Sequence, residues 1–327
     1  MVKYIIKRLL ISLLILFGVS LILYFLVRLM PQDAIYRQID PKLPAEEAER
    51  LKVQLLAHYG LDDNSFGGII KGYFGWLWRF VQGDFGRTLT GDNVADVIFR
   101  DMGISFIISF LSLILQLVIA IPLGIKCACN QYGKLDYAAT VLTMIGISFP
   151  SFFFGNIMIE VFAVKLGWFE ASGIKSATKT LFGFERFLDY AYHLVLPLFV
   201  LVILSVGSMM RYTRTNTLEV LNADYIRTAR AKGLSEKKVV YKHVFRNTMI
   251  PLVTTLAGIL PGLFGGSMIT EQVFGLPGIG LAAWNAFNNL DITFIMTYNM
   301  FIAVLTVVGI LLTDLMYAVV DPRVKLK

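Results

Sequence analysis

The chain is short of charge, cysteine and histidine, and each shortage argues against a class of function. Only 16% of its 327 residues are Asp, Glu, Lys or Arg, against 56% hydrophobic residues. That balance lies far from soluble usage and argues against a water-soluble enzyme. The two cysteines, Cys127 and Cys129, stand too close together to staple a fold and are too few for a tetrahedral zinc site. The three histidines, His58, His193 and His243, show no metal-ligand spacing. A phosphate cradle of the form Gly-x-x-x-x-Gly-Lys-Ser/Thr is also missing, since Gly133-Lys134 lacks both the upstream glycine and the hydroxyl residue. If ATP drives this protein, another chain hydrolyses it.

What the chain has is apolar length. Six runs approach the roughly 20 residues that a helix needs to cross about 30 Å of hydrocarbon. They are Leu9–Met30, Phe106–Ile125, Ala138–Val164, Leu194–Met210, Ile250–Thr270 and Met296–Val319. The fold class expected is an all-α polytopic membrane protein with six transmembrane helices. The first run follows Lys3, Lys7 and Arg8. It is too long for a signal-peptide core and no small-residue cleavage site follows it, so it reads as a retained anchor.

Orientation follows from charge. With the N-terminus in the cytoplasm, residues 1–8, 126–137, 211–249 and 320–327 hold 17 of the 30 Lys and Arg. The opposite loops, 28–103, 165–193 and 271–295, hold 16 of the 23 acids. The positive-inside rule therefore places both termini and the basic 211–249 loop in the cytoplasm. No stacking platform or groove-reading motif accompanies those charges, so the net +7 serves topology and not nucleic acid.

Within the runs the only carboxylates are Glu160 and Asp314. A proton relay needs more such groups at mid-depth, so both are read as reaching water or a partner side chain. An ion-driven secondary transporter would show repeated halves and mid-membrane carboxylates. A membrane-embedded enzyme would show a nucleophile and base or metal ligands at depth. Neither pattern is found. Pro122, Pro150, Pro197, Pro251 and Pro261 lie in or beside the runs and are expected to bend them. Gln116, Asn156 and Ser205 are candidates for a substrate path by position, with interhelical hydrogen bonding as the competing reading. In the long outer loop, residues 45–58 read as an exposed helix. Tyr73, Phe74, Trp76, Trp78 and Phe80 suit a segment at headgroup level, or else part of a docking platform for an external partner.

The 211–249 segment carries the most information. Residues 222–232 read as a short helix closed by Gly233, a residue suited to the left-handed turn after a helix end. Ser235 then caps a second helix with Glu236 in its first turn and Val240 and Val244 four apart. Small residues Ala229, Ala231 and Gly233 allow close approach, and Arg227, Arg230, Lys232, Lys237 and Lys238 ring them with positive charge. A helix, bend and helix of this kind suits a groove on another protein. A loop that only obeys the charge rule is the competing reading.

Tyr225-Ile-Arg-Thr-Ala-Arg-Ala-Lys-Gly233-Leu-Ser235, followed by Arg246-Asn-Thr-Met-Ile-Pro251, resembles the coupling loop of ABC importer permeases of the oligopeptide, dipeptide and nickel type. Gly83-Asp-Phe-Gly86, Phe149-Pro-Ser-Phe152, Leu166-Gly-Trp168, the set Glu271, Phe274, Pro277, Gly278 and Gly280, and Asp321-Pro-Arg323 fit the same family in order. The chain departs from it where Met30-Pro-Gln-Asp-Ala34 replaces the usual Leu-Pro-Gly-Asp-Pro and where Glu170 stands for a common Pro. Arg227 and Thr228 replace the Glu and first Ala of the general motif, as is common in peptide permeases.

The resemblance implies a type I permease fold with an anchor at 1–30, a structured extracellular loop at 31–93, a permease core at 94–318 and a cytoplasmic tail at 319–327. It implies a non-catalytic subunit of an ATP-driven importer in the bacterial cytoplasmic membrane, fed with peptides, or with nickel or another small solute, by an extracellular binding protein. A second permease subunit and two cytoplasmic ATPase subunits are the expected partners, and ATP and Mg bind to those ATPases. Asp224, Tyr225, Arg227, Thr228, Ala229, Arg230, Ala231, Lys232, Gly233 and Ser235 are the expected coupling residues.

Overall fold

A computed structural model of the chain describes residues 2–29, 39, 43–176 and 180–320. The Met30–Ala34 motif, Asp321-Pro-Arg323 and the rest of the C-terminal tail lie outside the described residues. Among the described residues there is no strand, only an isolated antiparallel bridge between Arg87 and Asn93. The helices are α1 (Val2–Leu29), α2 (Ala45–Tyr59), α3 (Phe66–Val81), α4 (Val94–Cys129), α5 (Lys134–Ser148) and α6 (Ser151–Met158). A π-helical stretch, Ile159–Lys165, continues α6. Then come α7 (Gly183–Leu221) and α8 (Asp224–Ala231). Glu236–Lys238, the π-helical Val239–Val244 and Phe245–Ile259 run on without a break and are together α9. The chain ends through α10 (Met268–Phe274), α11 (Ile279–Asn289) and α12 (Ile292–Val320).

Four of these helices, α1, α4, α7 and α12, are long and apolar enough to cross a membrane, and the bent pair of α5 with the α6 stretch makes five. The expected third run, Ala138–Val164, is not straight: its two halves meet at 100°. The break falls at Phe149-Pro150, where neither residue is helical, as proline favours in the residue before it. Pro122, Pro197 and Pro251 instead lie inside continuous helices. The expected fifth run, Ile250–Thr270, is also divided. Its helix ends at Ile259, passes through a 3₁₀ turn at Leu260–Leu263, and helix resumes only at Met268.

Helix α7 packs lengthwise on α4 and also on α5, α1 lies along α12, and α9 packs on α12 and α7. Ala120, Cys127, Ala139, Val206, Met210 and Leu252 form the core where α4, α5, α7 and α9 meet. At one end of the α1/α12 pair, Arg8 Nη1 lies 3.0 Å from Asp314 Oδ2. The partner expected for Asp314 is thus within the same chain. Glu160 is half exposed and faces Lys165 at 3.5 Å.

The loop before α12 is organised by one carboxylate. Glu271, 1% exposed, accepts hydrogen bonds from Ser105 Oγ at 2.7 Å and from the backbone N–H groups of Ser267 and Leu281 at 2.9 and 3.0 Å. Ser105 Oγ in turn accepts from Ile279 N–H at 2.9 Å. A Cβ at position 278 would collide with this carboxylate, which is why glycine stands there. Helix α2 is exposed and carries its own Glu46–Arg50 pair at 2.8 Å. Helix α3 starts at Ser65, whose hydroxyl accepts from Gly68 N–H at 3.0 Å. Just before it, the Ser65 N–H donated to Asp63 holds that carboxyl below the usual carboxylate range.

A candidate coupling site

Helix α7 has 39 residues and so runs about 58 Å, well beyond a bilayer core of about 30 Å. Its far end leads directly into the 222–247 segment. Helix α8 closes with two backbone bonds: Gly233 N–H to Arg230 O at 2.9 Å and Leu234 N–H to Ala229 O at 3.4 Å. This is the Schellman arrangement, which needs a left-handed residue between helix and exit, and Gly233 supplies it at φ +77°.

The bend folds the two limbs onto each other. Ile226, Val239 and Val244 are fully buried, Ala229 is 7% exposed, and Val220, Leu221 and Leu234 pack around them. The segment therefore owns a small hydrophobic core. Across the bend, Arg230 Nε reaches Glu236 Oε1 at 2.7 Å and Arg230 Nη2 reaches Oε2 at 3.3 Å. That pair is solvent-exposed and adds at most about 1 kcal/mol.

Two further ties join the segment's flanks to the bundle. Thr248 Oγ1 donates to Thr217 Oγ1 at 3.4 Å, both buried, linking α9 to α7. Below it, Arg214 of α7 grips Asp136 of α5 with two bonds of 2.6 and 2.7 Å, and Tyr132 N–H donates to the same carboxylate at 2.9 Å.

Asp224, Tyr225, Arg227, Thr228, Arg230, Ala231, Lys232, Gly233 and Ser235 all lie on the exposed surface of this unit. Lys237 and Lys238 extend it. Ala229 does not belong to that surface, because it faces the segment's own core. Ser235 occupies the capping position without a side-chain capping bond. The expected Val240 and Val244 pairing is replaced by Val239 and Val244, five apart. In the π-helical stretch each turn holds one residue more, and hydrogen bonds span i to i+5.

The three path candidates divide. Gln116 Nε2 donates to Ser205 O at 2.9 Å, and Ser205 Oγ donates back to Leu201 O of its own helix at 2.7 Å. These two residues tie α4 to α7, whereas Asn156 is exposed on α6. Sequence reasoning missed Asp136, Arg214, Ile226 and Val239. Leu234 was open to detection, since an apolar residue directly after the left-handed glycine commonly packs back on the helix. No local signal links Asp136 to Arg214, 78 residues away.

The chain is thus a helical protein with several helices long and apolar enough to cross a membrane, the longest of which runs into a self-packed, basic, exposed segment. The comparisons make the class specific. Residues 120–326 match the family described as "Binding-protein-dependent transport system inner membrane component". The oligopeptide transport system permease protein AppB of Bacillus subtilis (strain 168) is 38% identical over 327 residues, covering 99% of this chain and all of the relative. The permease protein OppB of Haemophilus influenzae is 31% identical over 329 residues, covering 99% of this chain and all of the relative. The dipeptide permease protein DppB of B. subtilis is 34% identical over 280 residues, 85% of each chain. The chain belongs to this family of ABC importer permeases, in its oligopeptide and dipeptide branch, and is a multi-pass protein of the cell membrane. Family membership makes it a transport component and implies a substrate-binding protein and an ATPase as partners.

Proposed function

We propose that this chain is a permease subunit that passes peptides across the membrane, driven by ATPase subunits gripping the 222–247 segment. The observation that carries the reading is that this segment packs on a core of its own while exposing a basic surface around Gly233. A self-packed lever can transmit force; a loose topogenic loop cannot. Both termini and the segment lie in the cytoplasm in this reading, the anchor at 1–30 and five crossings in a type I permease core over residues 94–318 make six crossings in all, and residues 31–93 face outward. Tyr225, Arg227, Thr228, Ala231 and Lys232 meet the ATPase surface, and Ala229 supports them from beneath. A second permease subunit and two ATPases complete the assembly, with ATP and Mg held by the ATPases.

When those ATPases close on ATP and reopen after hydrolysis, the segment moves as one body and displaces α7 and α9, which it joins directly. The crossings then switch the path between outward and inward access. Peptide cargo is supported by the peptide-permease relatives, and no observation favours nickel. The test is to purify the chain with its co-expressed partners and measure ATP hydrolysis with and without peptide-loaded binding protein. Stimulation by the loaded binding protein is expected. A complex that moves peptide with no ATPase attached would overturn the reading.

A further inference from the structure

Helix α3 has three faces. Tyr73 and Trp76 are buried, with Ile69, Leu77 and Phe80 packed beside them against α1 and α12. Phe66, Ile70, Phe74 and Val81 are exposed by 81, 42, 54 and 71% and fall on one stripe at helical spacing. Gly68 and Gly75 lie on the remaining side, and exposed Lys71 stands at its edge. Soluble surfaces rarely carry so continuous an apolar stripe.

Contacts to α1 and α12 set the depth of this helix. Counting from the Arg8–Asp314 pair at about 1.5 Å per helical residue, Ser20 stands at most about 18 Å along α1, Tyr24 about 24 Å and Arg28 about 30 Å. Met296 stands about 27 Å along α12 on the same scale. Tyr73 OH bonds Ser20 Oγ at 2.7 Å. Trp76 packs with Tyr24 and Met296. Arg28 Nη2, at the top of this ladder, donates to Gly60 O and Asp63 O at 2.9 and 2.6 Å, in the turn just before α3. Taking the Arg8–Asp314 pair as one edge of a hydrocarbon core of about 30 Å, the polar turn lies level with the other edge and the body of α3 lies inside it. At those heights α1 exposes Phe25 and Leu26, so its lipid-facing surface and the α3 stripe lie at the same depth.

From this ladder we propose that α3 is a non-spanning helix seated in the leaflet opposite the Arg8–Asp314 pair, with Phe66, Ile70, Phe74 and Val81 in phospholipid acyl chains. Such a helix is held by its apolar face and by a cationic side chain reaching the headgroups. Lys71 is that side chain. The helix keeps α1 docked on α12 and fixes the height of the 60–65 turn. This inference does not depend on the cargo or on the coupling mechanism.

Spin labels read the depth. In the full chain carrying Cys129→Ser, with buried Cys127 retained, one added cysteine at Phe74 or Val81 is labelled in phosphatidylcholine nanodiscs. Arg50→Cys on exposed α2 is the water reference and Leu14→Cys, on the exposed face of α1, is the lipid reference. The expected result is that Phe74→Cys and Val81→Cys match Leu14→Cys: accessible to oxygen and shielded from a water-soluble nickel complex. Nickel accessibility like that of Arg50→Cys would overturn the proposal. Shielding from both reagents would also overturn it, because a protein surface would then cover the stripe. As a readout that needs no cysteine, brominated acyl chains should quench the native tryptophan emission, and Trp78→Phe, which removes an indole 64% exposed between the stripe and Lys71, should reduce that quenching. Equal quenching in both proteins would count against lipid contact.

Discussion

Gly233 is where a single backbone angle sets the shape of the site. At φ +77° no atom lies within 4 Å of the place a Cβ would occupy, so a substitution there strains the backbone without a clash. Gly233→Ala is therefore expected to cost about 1–2 kcal/mol, the penalty of a left-handed conformation for an ordinary residue, and Gly233→Asn less. Thermal unfolding of the purified chain checks the order Gly above Asn above Ala. Equal stability of all three would mean that the left-handed turn is not needed. The Asp136–Arg214 pair is the second residue-scale determinant. Asp136 is buried and its side chain is only 5% exposed, so Arg214→Met leaves a carboxylate without its cation. Breaking a buried pair on one side costs about 3–5 kcal/mol, and the double variant Asp136→Asn/Arg214→Met should recover much of that loss. No recovery in the double variant would argue that Arg214 acts through packing alone.

At the scale of elements, the 222–247 unit depends on its core as much as on its surface. Ile226→Ala removes a fully buried side chain and should cost about 2–5 kcal/mol, expressed locally. Hydrogen exchange should show lost protection across residues 224–244 with α4 and α7 unchanged. Uniform loss through the bundle would contradict a self-contained unit. The bend itself was legible in the sequence, because a glycine after a short basic helix and a serine two residues on are local signals. The register of the second limb was not, since a π-helical turn depends on what its side chains meet and leaves no spacing rule to read. The same division holds for the crossings. Length and apolarity marked the four long helices, and Phe149-Pro150 marked a proline, but whether a proline breaks a helix or rides inside it is decided by neighbours. Pro150 sits at a break of 100° while Pro122 and Pro197 do not interrupt theirs. Glu271 stood out in the sequence only as part of a pattern; its role as a hub required Ser105, 166 residues away, to come beside it.

At the scale of the whole molecule, the proposed coupling requires a route by which a small segment moves a large path. Helix α7 touches α4, α5 and α9 along its length, so under that proposal a displacement at its exposed end would pass into three neighbours at once. The Gln116 and Thr217 bonds, together with the Asp136–Arg214 pair, make those contacts stiff. The orientation can be tested separately: a cysteine at Lys237 in otherwise intact cells should react with an impermeant maleimide only after the membrane is opened. Reaction in sealed cells would place the segment outside and remove its ATPase. The most direct test of the coupling account is Gly233→Val in the assembled transporter, followed by peptide uptake and ATP hydrolysis at equal membrane abundance. The account predicts that uptake falls while the ATPases stay bound and hydrolyse ATP without responding to loaded binding protein. Uptake and stimulation at the level of the unsubstituted protein would contradict it.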